Sequence, residues 1–226
     1  MIDVTLHKII LIKSKSNKEM TKNCSKPALF LDRDGVILKE CDHLSDPKKV
    51  YLEEGVKSFT EFISSKNIPI VIVTNQSGIF RGDYHWEDYE LVTRRMLKLL
   101  GNKVKIHAIY ANSEDRNIKK TLWRKPSPNM ILLAQKELHI DLFNSVLIGD
   151  RNSDLQAGLN ANIKNLIHVK TGHGESERET IKKNIQENFF RKENKKNFNF
   201  QLIESFDKIN FKNFHKSFFE KGSLKS

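Results

Sequence analysis

Five short apolar runs punctuate an otherwise polar chain, at residues 27–31, 68–73, 104–110, 146–148 and 166–169. They are short for buried helices and rich in Ile, Val and Leu, so each predicts a buried strand. Between them the apolar period changes to that of a helix. Val56, Phe59, Phe62 and Ile63 mark a helix over 53–66, and residues 86–100 mark another, closed by Gly101. Residues 129–138 predict a third helix and 153–161 a fourth, with Ser153 as cap and Asp154 in its first turn. Residues 37–52 read as a polar excursion with a turn at Asp46-Pro47, and 111–127 as a long polar loop. Strands alternating with helices predict an α/β fold, a Rossmann-like parallel sheet with helices on both faces. There is no internal repeat.

The two ends read differently from the middle. Residues 1–26 are Lys-, Ser- and Asn-rich after a short apolar patch, which predicts a flexible extension ahead of a domain over 27–210. The patch at 4–12 is only loosely like a secretory segment, because His7 and Lys8 interrupt it and no small-residue cleavage pattern follows. Met20 stands close to the expected domain boundary and is expected to be the natural start. Nine of the fourteen Phe residues lie after position 188, with basic residues among them, and 211–226 read as a basic Phe-rich tail. That pattern suits single-stranded nucleic acid. However, Leu202, Phe206 and Ile209, and then Phe211, Phe214 and Phe218, fall at helical spacing, which predicts rings packed onto the domain. Residues 183–197 are polar, a solvated helix end or loop.

Charge narrows the partners. The net charge is +11, but residues 1–27 carry six Lys against Asp3 and Glu19, and residues 164–226 carry fourteen basic and eight acidic residues. The middle is nearly balanced, so nucleic acid is not the expected partner. No apolar run approaches the length of a membrane span, and no membrane association is expected. Cys24 and Cys41 are too few for a disulfide scaffold, which predicts a reducing, cytoplasmic setting. A monomer is expected.

Chemistry concentrates at the ends of the predicted strands. The first strand runs into Asp32-Arg33-Asp34-Gly35-Val36, two carboxylates followed by a turn residue. The second ends in Thr74-Asn75-Gln76-Ser77-Gly78, and the fourth in Gly149-Asp150, with Arg151 and Asp154 behind; Arg124-Lys125-Pro126 precede the third helix. The carboxyl edge of an open parallel sheet is where ligands bind. Phosphoryl transfer accounts for the whole set. Asp32 and Asp150 can offer carboxylates, and Asp34 a backbone carbonyl, to a hard, oxygen-seeking Mg²⁺. Thr74 and Lys125 can hold the phosphoryl oxygens as charge develops on them.

These four motifs in this order resemble the haloacid dehalogenase superfamily of phosphatases over about residues 27–210. The resemblance is closer to the subgroup that holds D-glycero-D-manno-heptose 1,7-bisphosphate and histidinol-phosphate phosphatases. It is carried by Phe30–Gly35, by 74–79 with Arg81-Gly82, and by Arg124-Lys125-Pro126 with Pro128 and Met130. Gly149-Asp150, Asp154 and Thr171-Gly172 complete it. It implies that Asp32 is a nucleophile and Asp34 the acid and base, with Thr74 and Lys125 as the other catalytic residues. It also implies that Asn75, Gln76, Ser77, Arg124 and Arg151 bind substrate, with Glu40 in the place of a further substrate-contacting loop.

The subgroup's zinc loop, built from three Cys and one His, is missing: 111–125 contain neither residue type. Mg²⁺ and no zinc are therefore expected, with Trp123 and a shorter loop holding Arg124 and Lys125. The reading is an Mg²⁺-dependent phosphatase for a small phosphorylated sugar, first a heptose 1,7-bisphosphate. Histidinol phosphate, a nucleic-acid 3′-phosphate and a non-catalytic phosphate-binding module are the alternatives.

Overall fold

A computed structural model of the protein describes residues 6–10, 25–191 and 198–220. Its seven described strands form one sheet: β1 (Leu6–Ile10), β2 (Leu29–Leu31), β3 (Ile70–Asn75), β4 (Ile106–Asn112), β5 (Val146–Gly149), β6 (Asn165–Val169) and β7 (Asn199–Ile203). Their spatial order is β1-β4-β3-β2-β5-β6-β7, all parallel except β1. The helices are α1 (Val56–Ser65), α2 (Ser77–Arg81), α3 (Trp86–Leu100), α4 (Asn129–Leu138), α5 (Asn152–Asn160), α6 (Gly174–Arg191) and α7 (Phe211–Phe218). This is the expected α/β architecture.

Alternation along the strands separates two apolar layers. Leu29 and Leu31 face a layer with Phe59 and Ile63 of α1 and Val92 and Met96 of α3. Phe30 between them faces the opposite layer, with Met130 and Ile131 of α4 and Leu155 of α5. Period-two strands buried on both faces require this division. Central β2 lies between β3 and β5, so the chain leaves it toward one side and returns on the other. That topological switch point opens a crevice at its carboxyl end.

Both ends of the chain depart from expectation. Residues 6–10, expected to be part of a loose extension, form β1, antiparallel to β4 in the register Leu6↔Asn112 to Ile10↔Ala108. The His7 ring stacks on Trp86 at 4.9 Å, and Lys8 Nζ lies 2.6 Å from Glu137. Pairing here satisfies an edge of β4 that would otherwise present open backbone groups. The rest of the expected extension through Cys24, Met20 included, lies outside the described residues, as do residues 221–226.

At the other end, Leu202 belongs to β7 rather than to a helix, and Phe206 to a short 3₁₀ turn at Phe206–Lys208. Parallel pairing with β6 outweighs the helical spacing. Ser153 is not a cap either: Arg151 holds that position, and Asp154 Oδ2 accepts its N–H at 3.0 Å.

Phe211, Phe214 and Phe218 do share a helix. Phe214 lies 4.9 Å from Phe59 and 4.7 Å from Phe218, and Phe206 lies 5.1 Å from Phe59. Phe206, Phe214 and Phe218 are buried, which leaves them unavailable as stacking platforms for bases. Phe214→Ala is expected to destabilise the protein by about 3 kcal/mol, lowering the melting temperature by about 6–12 °C. An unchanged thermal melt would show that α7 is not part of the core.

Candidate active site

The predicted chemistry converges at the carboxyl edge of β2, β3 and β5, around a cavity of about 270 Å³. Asp32, Asp34, Glu40, Thr74, Asn75, Gln76, Ser77, Arg124, Lys125 and Arg151 all line it. Asp150 lies just beneath, fully buried. The turn after β2 is close-packed here. Gly35 has φ +76° and Gly172 φ +59°, and a Cβ on either would collide with Asp150 Oδ2. Thr171 Oγ1 donates to Gly35 O at 2.6 Å, and His173 N–H donates to Asp150 Oδ2 at 2.8 Å. The glycines thus let two backbones close over one carboxylate.

Asp32, Asp150 and Asp154 bring carboxylate oxygens within 4.8 Å of one another. Asp154, expected in the first turn of a helix and in the motif after β5 but not among the metal ligands, joins the cluster because its i, i+4 spacing from Asp150 puts both beside one helix start. Burial, and then Asp154 and Asp32, push the Asp150 carboxyl well above the usual range. Burial likewise lifts Asp32 to about 6 against the attraction of Lys125, with Asp154 and Asp34 adding to the rise. Asp150 Oδ1 is buried and finds no hydrogen-bond partner among the described residues. An oxygen-only donor set with an orphaned carboxylate oxygen fits a hard divalent cation such as Mg²⁺.

Lys125 Nζ sits 3.0 Å from Asp32 Oδ1 and 2.6 Å from Asp154 Oδ1, and donates to Val73 O at 2.9 Å. Burial alone would lower its ammonium group, but Asp154 and Asp32 outweigh burial and hold it above its ordinary value. Asp34 is fastened by Arg33, whose Nε and Nη2 lie 3.0–3.2 Å from its oxygens, and by Gln76 Nε2 at 2.7 Å. Arg33 is buried, with its guanidinium 4.7 Å from the centre of the Tyr89 ring. Nothing in the local sequence marks it as the clamp on Asp34.

Two side chains expected to touch substrate turn inward. Gln76 donates to Asp34 and, at 2.8 Å, to Thr74 Oγ1, and accepts from Arg33 Nη2 at 2.9 Å and Tyr84 OH at 2.7 Å. Its amide is fully used. Asn75 Oδ1 accepts from Lys125 N–H at 3.0 Å and Asn112 Nδ2 at 2.6 Å, while its Nδ2 donates to Lys125 O at 3.2 Å. Both amides hold other site residues in place because those residues leave backbone and carboxylate groups to be satisfied in a buried setting. Ser77 Oγ accepts from Arg124 Nη1 at 2.5 Å. Glu40 is lifted to about 7 by burial and the nearby Asp34, offset in part by Arg151. Arg81 and Arg116, which the sequence reading did not single out as site residues, also reach the cavity wall.

Comparison with known proteins agrees with this architecture. A HAD-hydrolase-like family model matches residues 122–190. The chain is 38% identical over 144 residues to the D-glycero-beta-D-manno-heptose-1,7-bisphosphate 7-phosphatase of Mesorhizobium japonicum, covering 61% of this chain and 66% of that one. It is 37% identical over 167 residues to the D-glycero-alpha-D-manno-heptose-1,7-bisphosphate 7-phosphatase of Campylobacter jejuni, covering 73% of this chain and 95% of that one. The D,D-heptose 1,7-bisphosphate phosphatase of B. bronchiseptica, solved with magnesium and phosphate, shares the fold with a TM-score of 0.68 at 21% identity, covering 84% of this chain and 99% of that one. The chain therefore belongs to the heptose-bisphosphate phosphatase family of haloacid dehalogenase-like hydrolases.

Proposed function

We propose that the protein is an Mg²⁺-dependent phosphomonoesterase that removes the 7-phosphate of a D-glycero-D-manno-heptose 1,7-bisphosphate. The observation that carries this reading is the Asp32 carboxylate at the switch point, 3.0 Å from Lys125 and clustered with two further buried carboxylates. Asp32, Asp150 and Asp154, with the Asp34 backbone carbonyl, would hold the metal, which when bound supplies positive charge between the anionic nucleophile and an anionic phosphate.

Asp32 attacks phosphorus, and the bond from phosphorus to the sugar oxygen breaks. Asp34, held by Arg33 and Gln76, gives its proton to that leaving oxygen. The resulting aspartyl phosphate is hydrolysed by a water that Asp34 deprotonates, which releases phosphate and restores Asp32. Thr74, whose Oγ1 accepts from Gln76, keeps its own proton for a phosphoryl oxygen, and Lys125 offers charge to the same group. Arg124, Arg151 and Glu40 face the part of the substrate that stays, and the arginines suit the second phosphate of a bisphosphate. With two Cys in 226 residues, the enzyme is suited to a reducing compartment such as the cytoplasm.

The test is phosphate release from both heptose bisphosphate anomers, histidinol phosphate and a 3′-phosphorylated oligonucleotide, with and without Mg²⁺. The highest kcat/KM is expected on a heptose bisphosphate. A preference for histidinol phosphate, or release indifferent to Mg²⁺, would overturn the reading. Because 111–125 offer no thiolate or imidazole, the purified protein is expected to hold no stoichiometric zinc, and Mg²⁺ alone should restore EDTA-treated enzyme. Elemental analysis finding one zinc per chain, or recovery that needs added zinc, would contradict this.

A further inference from the structure

We propose that Glu114 is the positioning residue that fixes Arg124 over the cavity. The proposal rests on the role given to Arg124 in the reading above. The segment between β4 and α4 contains no helix or strand, yet it must present Arg124 and Lys125 in fixed places. An irregular stretch of this length needs its backbone donors satisfied by something other than secondary structure.

Glu114, 6% exposed and two residues beyond β4, supplies the acceptors. Its Oε1 accepts from Leu122 N–H at 2.9 Å. Its Oε2 accepts from Trp123 N–H at 2.7 Å and Arg124 N–H at 2.8 Å. One carboxylate therefore gathers three successive backbone donors at 2.7–2.9 Å. Its backbone completes the tie: Glu114 N–H donates to Asn112 Oδ1 at 3.0 Å, and Glu114 O accepts from Arg124 Nη1 at 3.1 Å. Arg124 is thus held at its N–H by the carboxylate and at its guanidinium by the carbonyl of the same residue.

Lys125 is held by other groups. Asn75 pairs with its backbone, and Val73, Asp32 and Asp154 surround its ammonium. The two neighbouring cations therefore have separate anchors. Removing the Glu114 carboxylate frees the backbone of Arg124, leaves its guanidinium only the Ser77 Oγ and Glu114 carbonyl contacts, and leaves the ties of Lys125 standing, so substrate recognition should suffer more than the chemical step.

The experiment compares Glu114→Gln, Glu114→Ala, Arg124→Ala and the double variant Glu114→Ala/Arg124→Ala as full-length enzyme. Gln keeps one oxygen that can replace Oε2 but turns an NH₂ toward the Leu122 N–H, so an effect between wild type and Ala is expected. In Glu114→Gln, amide hydrogen exchange by NMR should speed up about tenfold or more at residues 122–124 and stay unchanged in β3 and β4. With a heptose bisphosphate, KM should rise about tenfold in Glu114→Ala while kcat falls much less. With p-nitrophenyl phosphate, which offers Arg124 nothing to recognise, the rise in KM should be smaller. The double variant should be no worse than Arg124→Ala alone, because the two act as one unit.

Unchanged exchange at 122–124, equal losses on both substrates, or additive effects in the double variant would each overturn the proposal. Should Glu114→Ala not fold, Glu114→Gln carries the exchange and kinetic arms. Failure of the wild type to prefer a heptose bisphosphate over p-nitrophenyl phosphate would sink the functional reading instead, and the exchange arm would still decide the role of Glu114.

Discussion

Replacing Asp32 with Asn is expected to lower kcat by at least about 10⁴-fold, the scale on which loss of a nucleophile acts. An amide nitrogen or oxygen is a very poor nucleophile toward phosphorus, and no other carboxylate can take over in place. Asp34 is turned into contacts with Arg33 and Gln76, while Asp150 lies buried behind the turn. The fold should survive, because Asn is isosteric and removes one charge from three crowded carboxylates. Steady-state phosphate release on a sugar phosphate, paired with a thermal melt of the same sample, measures both effects. Activity within a hundredfold of wild type in a folded, sequence-verified sample would remove Asp32 from the role.

Lys125→Met is expected to damage stability and rate together. Met fills the volume of the stem but leaves Asp32 and Asp154 buried without their shared cation. Removing one partner of a buried ion pair costs about 3–5 kcal/mol, which for a chain of this size lowers the melting temperature by about 10 °C. Turnover should fall by about 10²–10³-fold, the scale for losing one group that stabilises transition-state charge. Saturating Mg²⁺ should narrow the gap in melting temperature, since it binds the folded carboxylates and not the unfolded chain.

The pH dependence has a definite sign. A carboxyl raised to about 6 when folded binds its proton more tightly than in the unfolded chain. Metal-free protein therefore gains stability as pH falls through about 6 and loses it as pH rises, and without Lys125 this trend should steepen. Thermal melts from pH 5 to 8, with and without Mg²⁺, check it. A Lys125→Met variant as stable as wild type would mean that the lysine does not neutralise the pair.

Strand and helix positions around the site were legible in the sequence because their signals are local. Ile70–Asn75 and Val146–Gly149 are short apolar runs, and Trp86–Leu100 carries a helical period closed by glycine. The positions of Asp32, Thr74 and Asp150 beside strand ends, and of Lys125 ahead of a helix, followed from those elements, and parallel topology brings such ends to one edge. The identity of the chemistry was thus written in residue types and their order.

Where a side chain finds its partner depends on segments far away in the chain, and only the tertiary structure decided that. Asn75 and Gln76 follow a strand end just as substrate-binding residues would, yet their amides meet Lys125, Asn112, Arg33 and Tyr84 from other elements. Leu6–Ile10 became a strand because distant β4 had an open edge, and Asn199–Ile203 because β6 had one on the other side of the sheet. Asp154 reads as a motif acid in a helix's first turn until the fold sets its carboxylate against Asp32 and Lys125. Glu114 reads as one more charge in a polar loop until three backbone donors, eight to ten residues on, close around it. Spacing along a chain reports which face a residue occupies; the burial and unpaired donors that give that face its use are properties of the assembled fold.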